Sequence, residues 1–254
     1  MQSETAVPVK ATRVSMDVVQ RLRELDGATT MEIAEQLDLP QSTAYDHLRT
    51  LEELELVVNE DGTYKVGTKF LDFGGYARQE KKIFEVGKPK LQELAQETGE
   101  NANLMIEEHG RGVFLFTAEG EEAVELDTHH GYRVHLQTTA LGKAMMAHMD
   151  ESRVRDIIER HGMPSITDNT ITDEEELFKQ FEEIRERGCA VDFAERVRRM
   201  RCVAAPILDD DDNPLGAVSV SGPRSRMQGQ RFDEEIPKKV IRTANVVEVN
   251  MSYA

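Results

Sequence analysis

The chain of 254 residues contains no tryptophan, only two cysteines and no long apolar run. Cys189 and Cys202 cannot build a disulfide framework, and so few thiols are typical of a reducing compartment. The apolar stretches, such as residues 113–116, are far too short to span a bilayer, and the first residues lack the positive-then-apolar pattern of a signal peptide. These absences predict a cytoplasmic protein with no membrane partner.

Residues 29–66 have the pattern of a winged helix-turn-helix. Thr29 and Thr30 stand before a short helix at 31–37, where a threonine hydroxyl accepts from the free amides of the first turn. Residues 38–40, Asp-Leu-Pro, end this helix and form a corner of the length that a helix-turn-helix needs. Two such helices alone are equally compatible with a small subdomain used for packing or dimerisation.

The second helix of this segment is predicted over residues 41–54. Ala44, Leu48 and Leu51 recur at i, i+4 and i+7 and therefore pack inward. Two short strands around a turn containing Gly62 follow directly and form a wing, which favours DNA binding over packing. The residues expected to contact bases or phosphates are Thr30, Gln41, Ser42, Thr43, Tyr45, Asp46, Arg49 and Lys65.

The charge balance runs against a DNA-binding function. The formal net charge is −17, and residues 1–80 contain 15 Asp and Glu against 8 Lys and Arg, whereas DNA-binding domains normally carry a basic surface. Lysine is also scarce, with 11 residues against 20 arginines. Such a composition is expected of a halophile protein that works in molar salt, where screening is short and acidic surfaces maintain solubility. The acidic run at 209–212 is interpreted as a solvated turn rather than a metal site.

From residue 101 onward, short alternating strands are separated by glycine turns and helices, which predicts an α+β domain with an antiparallel sheet. The segment 68–85 is predicted as a linking helix interrupted by Gly74 and Gly75, with a separate helix at 89–98. Strands are expected at 102–107, 113–117, 124–127, 134–137, 190–191, 203–208 and 215–220, and helices at 139–149, 151–160, 173–187 and from 233.

Several short motifs occur together in this order along the chain. MRCVAAP at 200–206 leads into one strand of the C-terminal hairpin, and AVSVSGP at 217–223 closes the other. TALGKA lies upstream at 139–144, and LPQST lies in the helix-turn-helix at 39–43. With these motifs the chain resembles the IclR family of bacterial and archaeal transcription regulators over residues 12–252.

The resemblance implies a winged helix-turn-helix domain at 12–67, a linker helix at 68–85 and a GAF-like effector-binding domain at 86–254. It also implies a homodimer formed through the N-terminal half, or a dimer of dimers.

An effector site in the C-terminal domain is also implied by the resemblance. Its chemistry suits a small anionic or hydroxylated ligand, because two serines at i and i+2 of one strand can donate to the same oxygen. The helix start at 139–142 offers free amides to a carboxylate, and Asp192 is expected to accept from a ligand hydroxyl. The implied site residues are Val134, Thr139, Ala140, Leu141, Gly142, Asp192, Cys202, Ser219 and Ser221.

Two departures from the family pattern bear on function. Gln41 and Asp46 stand where basic residues are usual in the recognition helix, so the family's operator cannot be transferred to this chain. Four arginines surround the position of Cys202, namely Arg196, Arg198, Arg199 and Arg201. Most are expected at the surface among acidic neighbours, with the alternative that one of them faces an acidic effector.

The sequence gives only weak support for a metal site or a catalytic site. His129, His130 and His135 near Asp127 match no common zinc spacing, and a hydrolase centred on Cys202 would need a histidine base. We therefore predict no catalytic residue, no metal and no cofactor. The predicted function is control of a catabolic pathway by operator binding that responds to a small keto, hydroxy or sugar acid. The alternative is a ligand-binding or enzymatic domain whose helix-turn-helix serves only oligomerisation.

Overall fold

A computed structural model describes residues 7–126 and 128–253 of the chain. The chain separates into two compact units, Met1–Ala77 and Arg78–Ala254. The division falls inside the segment 68–85 that the sequence predicts as a linker, and the finer domain bounds given above stay a prediction. Within the described ranges, no helix is long and apolar enough to cross a membrane.

The first unit is a winged helix-turn-helix, as predicted. Its elements are α1 Lys10–Glu24, β1 Ala28–Thr29, α2 Thr30–Gln36, α3 Gln41–Glu53, β2 Val57–Glu60 and β3 Thr63–Val66. The strands form an antiparallel sheet in the order β1-β3-β2. Strand β1 was not predicted, because two residues are too few to show a period of two.

Local sequence accounts for the shape of this unit. The Thr29 hydroxyl accepts from the amide of Glu32 at 3.3 Å, and the Glu32 carboxylate accepts from the amide of Thr29 at 2.8 Å, so a capping box starts α2. The predicted inward side of α3 is fully buried against α1 and α2, with Ala44 and Leu48 at 0% exposure and Leu51 at 3%. The helix therefore turns its other side outward.

The helices after the wing differ from the prediction. Helix α4, Lys69–Gln79, runs through Gly74 and Gly75 without a break, and α5, Lys82–Thr98, runs through Pro89. The break comes instead at 80–81, where Lys81 has an extended backbone. A single proline removes one hydrogen bond from a helix, and the buried positions Leu91 and Leu94 keep α5 packed on the sheet beyond it.

The second unit is an α+β domain built on an antiparallel sheet in the order β6-β5-β4-β9-β8-β7. Its strands are β4 Asn101–Glu108, β5 Arg111–Ala118, β6 Arg133–His135, β7 Ala190–Phe193, β8 Met200–Leu208 and β9 Pro214–Pro223. Its remaining helices are α6 Ala140–Met146, α7 Glu151–His161, α8 Glu174–Arg187 and α9 Ile236–Tyr253, with a 3-10 turn at Leu136–Thr138 and a π-helical turn at Arg231–Glu235. The strand predicted at 124–127 is wrong for residues 124–126, and Asp127 lies outside the described residues.

The two faces of this sheet have different roles because strand residues alternate between them. Leu104, Val203, Val218 and Val220 lie in a core shared with α5 and α9. The alternate residues face α6, α7 and α8, and their core includes Met105, Ala204 and Ala217. On this second face, the ends of β4, β8 and β9 carry polar residues in place of aliphatic ones, and this is where a pocket forms.

Candidate DNA interface and effector pocket

The outer side of α3 carries the residues predicted to contact DNA. Gln41, Ser42, Asp46 and Arg49 are exposed, and Tyr45 is 49% exposed. Thr43 is half-buried, as is Thr30 at the start of α2, while Lys65 is exposed on β3. The first turn of α3 follows Pro40 and has no side-chain cap, so its free amides are available to a phosphate. Direct contact of each residue with DNA stays a prediction.

Both cations of this surface are held by acidic neighbours. Arg49 pairs with Glu52 at 2.8 Å and with Glu53 at 3.3 Å, and Lys65 pairs with Glu60 at 2.6 Å. The charge of Glu52 raises the pKa of Arg49, and the hydrogen bond to Glu60 raises the pKa of Lys65. Phosphates must therefore compete with carboxylates for these side chains, which makes this surface less attractive to DNA than a basic one.

A cavity of about 50 Å³ opens on the polar end of the second sheet face. Six of the implied effector residues line it together: Thr139, Leu141, Asp192, Cys202, Ser219 and Ser221. Arg196, one of the four arginines noted in the sequence, also lines it, and the remaining lining residues were not predicted: Asn103, Phe114, Leu126, Thr128, Val197 and Met200. Residues far apart in sequence thus converge on one pocket.

Asn103 forms hydrogen bonds with both pocket serines. Its side-chain amide donates to the hydroxyl oxygens of both Ser219 and Ser221 at 3.2 Å, and its carbonyl oxygen accepts from Thr117 at 3.0 Å. Because each serine oxygen accepts from Asn103, neither hydroxyl proton is used in its bond to that side chain. Asn103 could be found only from the strand register, which places it directly opposite Ser219.

Asp192 and Cys202 form the acidic side of the pocket, directly opposite each other on β7 and β8. Burial, with the charge of Glu195 as a second cause, raises the pKa of Asp192 to about 7. Burial and the charge of Asp192 raise the pKa of the Cys202 thiol to about 12. Cys202 is therefore a neutral thiol at physiological pH rather than a thiolate nucleophile.

A buried ion pair anchors the loop that follows β7. The ammonium of Lys143, which is 0% exposed, donates to both oxygens of Glu195 at 2.6 and 2.7 Å and to the Gln180 side chain at 3.0 Å. The backbone carbonyl of Glu195 accepts from the hydroxyls of Thr167 and Thr170. Separating the two partners would leave an uncompensated buried charge, which is costly. The ion pair therefore holds the loop in one position beside the cavity.

Three implied effector residues do not line this cavity, and their contact with an effector stays a prediction. Val134 lies on β6 and lines a neighbouring, outer cavity. Ala140 is completely buried, and a side chain at Gly142 would meet the Leu136 carbonyl, so both are packing positions. The Gly142 amide already donates to the Thr139 hydroxyl at 3.0 Å. The Gly142 amide is therefore used within the protein, and the contact of this helix start with a ligand stays a prediction.

The four arginines near Cys202 have different surroundings. Arg198 is exposed beside Asp168 at 3.6 Å, and Arg199 has a left-handed backbone with φ of 68°. Arg201 lies over the rings of Phe193 and Phe232. Arg196 alone of the four lines the pocket, and whether it faces an effector stays a prediction.

The histidine cluster offers no metal centre among the described residues. His129 lies edge-on to Tyr132, and His130 is stacked on Phe116 and bonded to Arg78 at 2.8 Å. Burial lowers the pKa of His135 to about 4, and Asp127 lies outside the described residues. These side chains pack against rings and backbone.

A winged helix-turn-helix and a pocket-bearing α+β unit in one chain define a class of DNA-binding transcription regulators. The family model described as bacterial transcriptional regulator IclR, C-terminal, matches residues 76–249, and a helix-turn-helix domain model matches residues 11–60. The chain belongs to the IclR family of transcriptional regulators.

Individual family members match over nearly the whole chain. ArcR of Halobacterium salinarum is 30% identical over 244 residues, covering 94% of this chain and 93% of its own length. The crystal structure of the Thermotoga maritima IclR is similar with a TM-score of 0.76 and 28% identity, covering 96% of this chain and 98% of its own. An IclR homologue from Microbacterium hydrocarbonoxydans, complexed with 4-hydroxybenzoate, shares the fold with a TM-score of 0.77 at 19% identity, over 94% of this chain and 100% of its own.

Proposed function

We propose that this regulator controls a catabolic pathway and that a small keto, hydroxy or sugar acid in the pocket changes its affinity for an operator. The proposal is supported by the polar groups that meet in one pocket: the Ser219 and Ser221 hydroxyls, which accept from Asn103, and Asp192, whose pKa burial raises to about 7. Polar groups held in this way suit a ligand with neighbouring carboxylate and hydroxyl or carbonyl oxygens. Operator binding then responds only if the ligand prefers one state of the protein.

Operator binding can be tested without knowing the target genes. Double-stranded DNA selected by the protein from a random pool in about 2 M KCl, where screening is short, supplies an operator for fluorescence anisotropy. Keto, hydroxy and sugar acids are then added to the complex. A shift of the binding curve by one class of acid supports the proposal, and a curve that no acid moves contradicts the effector part of it.

We infer that the regulator binds DNA as a homodimer or a dimer of dimers. Helix α4 exposes Leu71, Phe73 and Tyr76 at 74%, 53% and 67%, and none of its residues is buried. Apolar side chains clustered on one helix in this way are typical of a surface that another chain covers. Light scattering on the operator complex reports the number of chains in the same experiment.

The acidic outer side of α3 predicts that DNA affinity depends on salt in an unusual way. Ordinary DNA binders lose affinity steeply with salt because phosphate contacts release counterions. Here Arg49 and Lys65 are already paired with carboxylates, so few counterions are released and salt weakens the repulsion between acidic protein and DNA. We expect a shallow or inverted slope of affinity between about 0.2 and about 2 M KCl. A steep loss of affinity over this range would contradict both this reasoning and the halophile interpretation.

Asp192 predicts how effector affinity depends on pH. Below its pKa of about 7 the carboxyl is neutral and can donate a proton to a ligand oxygen, whereas above it the carboxylate repels an anionic effector. The effector's own carboxyl is ionised throughout this range. We therefore expect affinity to fall as pH rises through 7, by up to about tenfold per pH unit on the alkaline side.

Calorimetric titration from about pH 5.5 to about pH 8.5 measures this slope. Asp192→Asn is expected to flatten it, and Asp168→Asn, which changes a carboxylate that is 90% exposed, is expected to leave it unchanged. An equally steep slope in Asp192→Asn would assign the titration to another group.

A further inference from the structure

A row of polar side chains crosses three neighbouring strands at the polar end of the second sheet face. Thr117 of β5 lies opposite Asn103 of β4, and Asn103 lies opposite Ser219 of β9. Ser221 stands two residues after Ser219 and therefore lies on the same face of the sheet. Because directly opposite residues of antiparallel strands are close neighbours, their polar groups can form one hydrogen-bonded chain.

The hydrogen bonds of this row have a direction, and the Asn103 side chain sets it. Its carbonyl oxygen accepts from the Thr117 hydroxyl at 3.0 Å, while its amide nitrogen donates to the oxygens of Ser219 and Ser221 at 3.2 Å. An amide nitrogen only donates and a carbonyl oxygen only accepts, so the amide cannot exchange these roles without turning over. Asn103 is 3% exposed, which shields the bonds from solvent.

The bonds from Asn103 use only lone pairs of the two serines, not their protons. A hydroxyl that already accepts one hydrogen bond is polarised and donates the next one more strongly. The Ser219 hydroxyl also bonds to the Cys202 side chain, but a thiol sulfur is a weak acceptor that a ligand oxygen can displace. The serine pair, which lines the cavity, is therefore suited to two neighbouring acceptor oxygens.

An α-keto acid carries two such oxygens side by side, one on its carboxylate and one on its keto group. In an α-hydroxy acid a hydroxyl replaces the keto oxygen, and it brings a proton that needs an acceptor of its own. Asp192 lines the same cavity, but burial raises its pKa to about 7, so that below this pH it is a neutral carboxyl rather than a carboxylate acceptor. A keto acid therefore leaves fewer protons without an acceptor.

We propose that Asn103 is a positioning residue that makes Ser219 and Ser221 hydrogen-bond donors toward the cavity, and that the effector is an α-keto acid whose keto and carboxylate oxygens accept from them. This inference rests on the proposed effector function and narrows its ligand class from keto, hydroxy and sugar acids to keto acids. Asn103 acts through the serines, because its amide decides which of their hydrogen-bonding positions stay open to a ligand.

The test compares acids that carry the same charge and differ only in a keto or a hydroxyl group. The pairs are pyruvate with lactate, α-ketobutyrate with α-hydroxybutyrate, and α-ketoglutarate with α-hydroxyglutarate, and gluconate is added as a sugar acid. Each is titrated calorimetrically into the full-length protein at about pH 6, where all these acids are ionised and Asp192 is neutral. The wild type is expected to bind the keto member of its preferred pair about three- to tenfold more tightly, the effect of one hydrogen bond.

Two uncharged variants change the direction of the hydrogen bonds. Asn103→Leu removes the amide and is expected to bring the keto-to-hydroxy affinity ratio to about one, because each serine can then donate or accept. Thr117→Val removes the donor that holds the Asn103 carbonyl and is expected to lower the ratio in part. The matched control is Asn101→Leu, since Asn101 is 2% exposed on the same strand but donates to the Val124 carbonyl at 2.8 Å. It is expected to keep the wild-type ratio.

The outcomes separate the inference from the function it rests on. If the wild type prefers hydroxy acids or gluconate, the serines do not select a keto oxygen, and the inference is overturned while the effector function stands. If Asn103→Leu weakens the keto and the hydroxy acid equally, Asn103 only supports the pocket wall, and the inference again fails. If the wild type binds none of these acids, the effector function fails and the inference fails with it.

Discussion

Replacing Ser219 and Ser221 together by alanine is expected to abolish the effector response, while the affinity for operator DNA without effector stays unchanged. The two hydroxyls line the pocket at 0% and 8% exposure, and both accept from Asn103. Each hydrogen bond to a charged or strongly polar ligand atom contributes about 1.5–3 kcal/mol, so the double variant is expected to bind the effector at least about 100-fold more weakly. Operator anisotropy titrated with effector measures the change.

The double variant also leaves the Asn103 amide without its two acceptors, which costs about 1–3 kcal/mol of stability. Thermal unfolding therefore accompanies the binding measurement, and the single Ser221→Ala variant, expected to show a smaller shift, serves if the double variant is too unstable. Ser225→Ala, an exposed serine just beyond β9, is the matched control and is expected to respond like the wild type. A normal response of the double variant at unchanged effector concentration would place the ligand elsewhere.

Replacing Arg49 by alanine is expected to weaken operator binding by about 1–3 kcal/mol if it contacts a guanine edge. Its side chain stands on the exposed side of α3 opposite the buried Leu48. In the free protein it is bonded to Glu52 and Glu53, and it exchanges these partners for DNA on binding. Anisotropy at a fixed salt concentration gives the loss, and effector binding is expected to be unaffected.

Two further variants are compared with Arg49→Ala. Glu53→Gln removes one competing carboxylate at 3.3 Å from Arg49 and is expected to tighten DNA binding. Arg23→Ala changes an exposed arginine of α1 and controls for the loss of a positive charge. Equal operator affinity for Arg49→Ala and the wild type would show that another surface contacts the DNA.

The helix-turn-helix could be predicted from sequence alone, since each of its elements depends on neighbours a few residues away. The cap at Thr29, the turn before Pro40 and the buried spacing of Ala44 and Leu48 are all local features that a pattern along the chain expresses. The motifs around Cys202 and Ser219 likewise indicated the family. Helix α5 continues through Pro89 because the packing of Leu91 and Leu94 on the sheet outweighs the cost of a proline, and a pattern along the chain does not show that packing.

Only the tertiary structure decided which residues form the pocket. Asn103 lies opposite Ser219 because β4 pairs with β9, an antiparallel register between strands more than 100 residues apart that no periodicity reports. The buried Lys143–Glu195 pair joins α6 to a distant loop and sets Arg196 beside the cavity. Gly142, which the motif placed at the ligand, instead packs on Leu136, since close approach of the backbone requires a residue without a side chain.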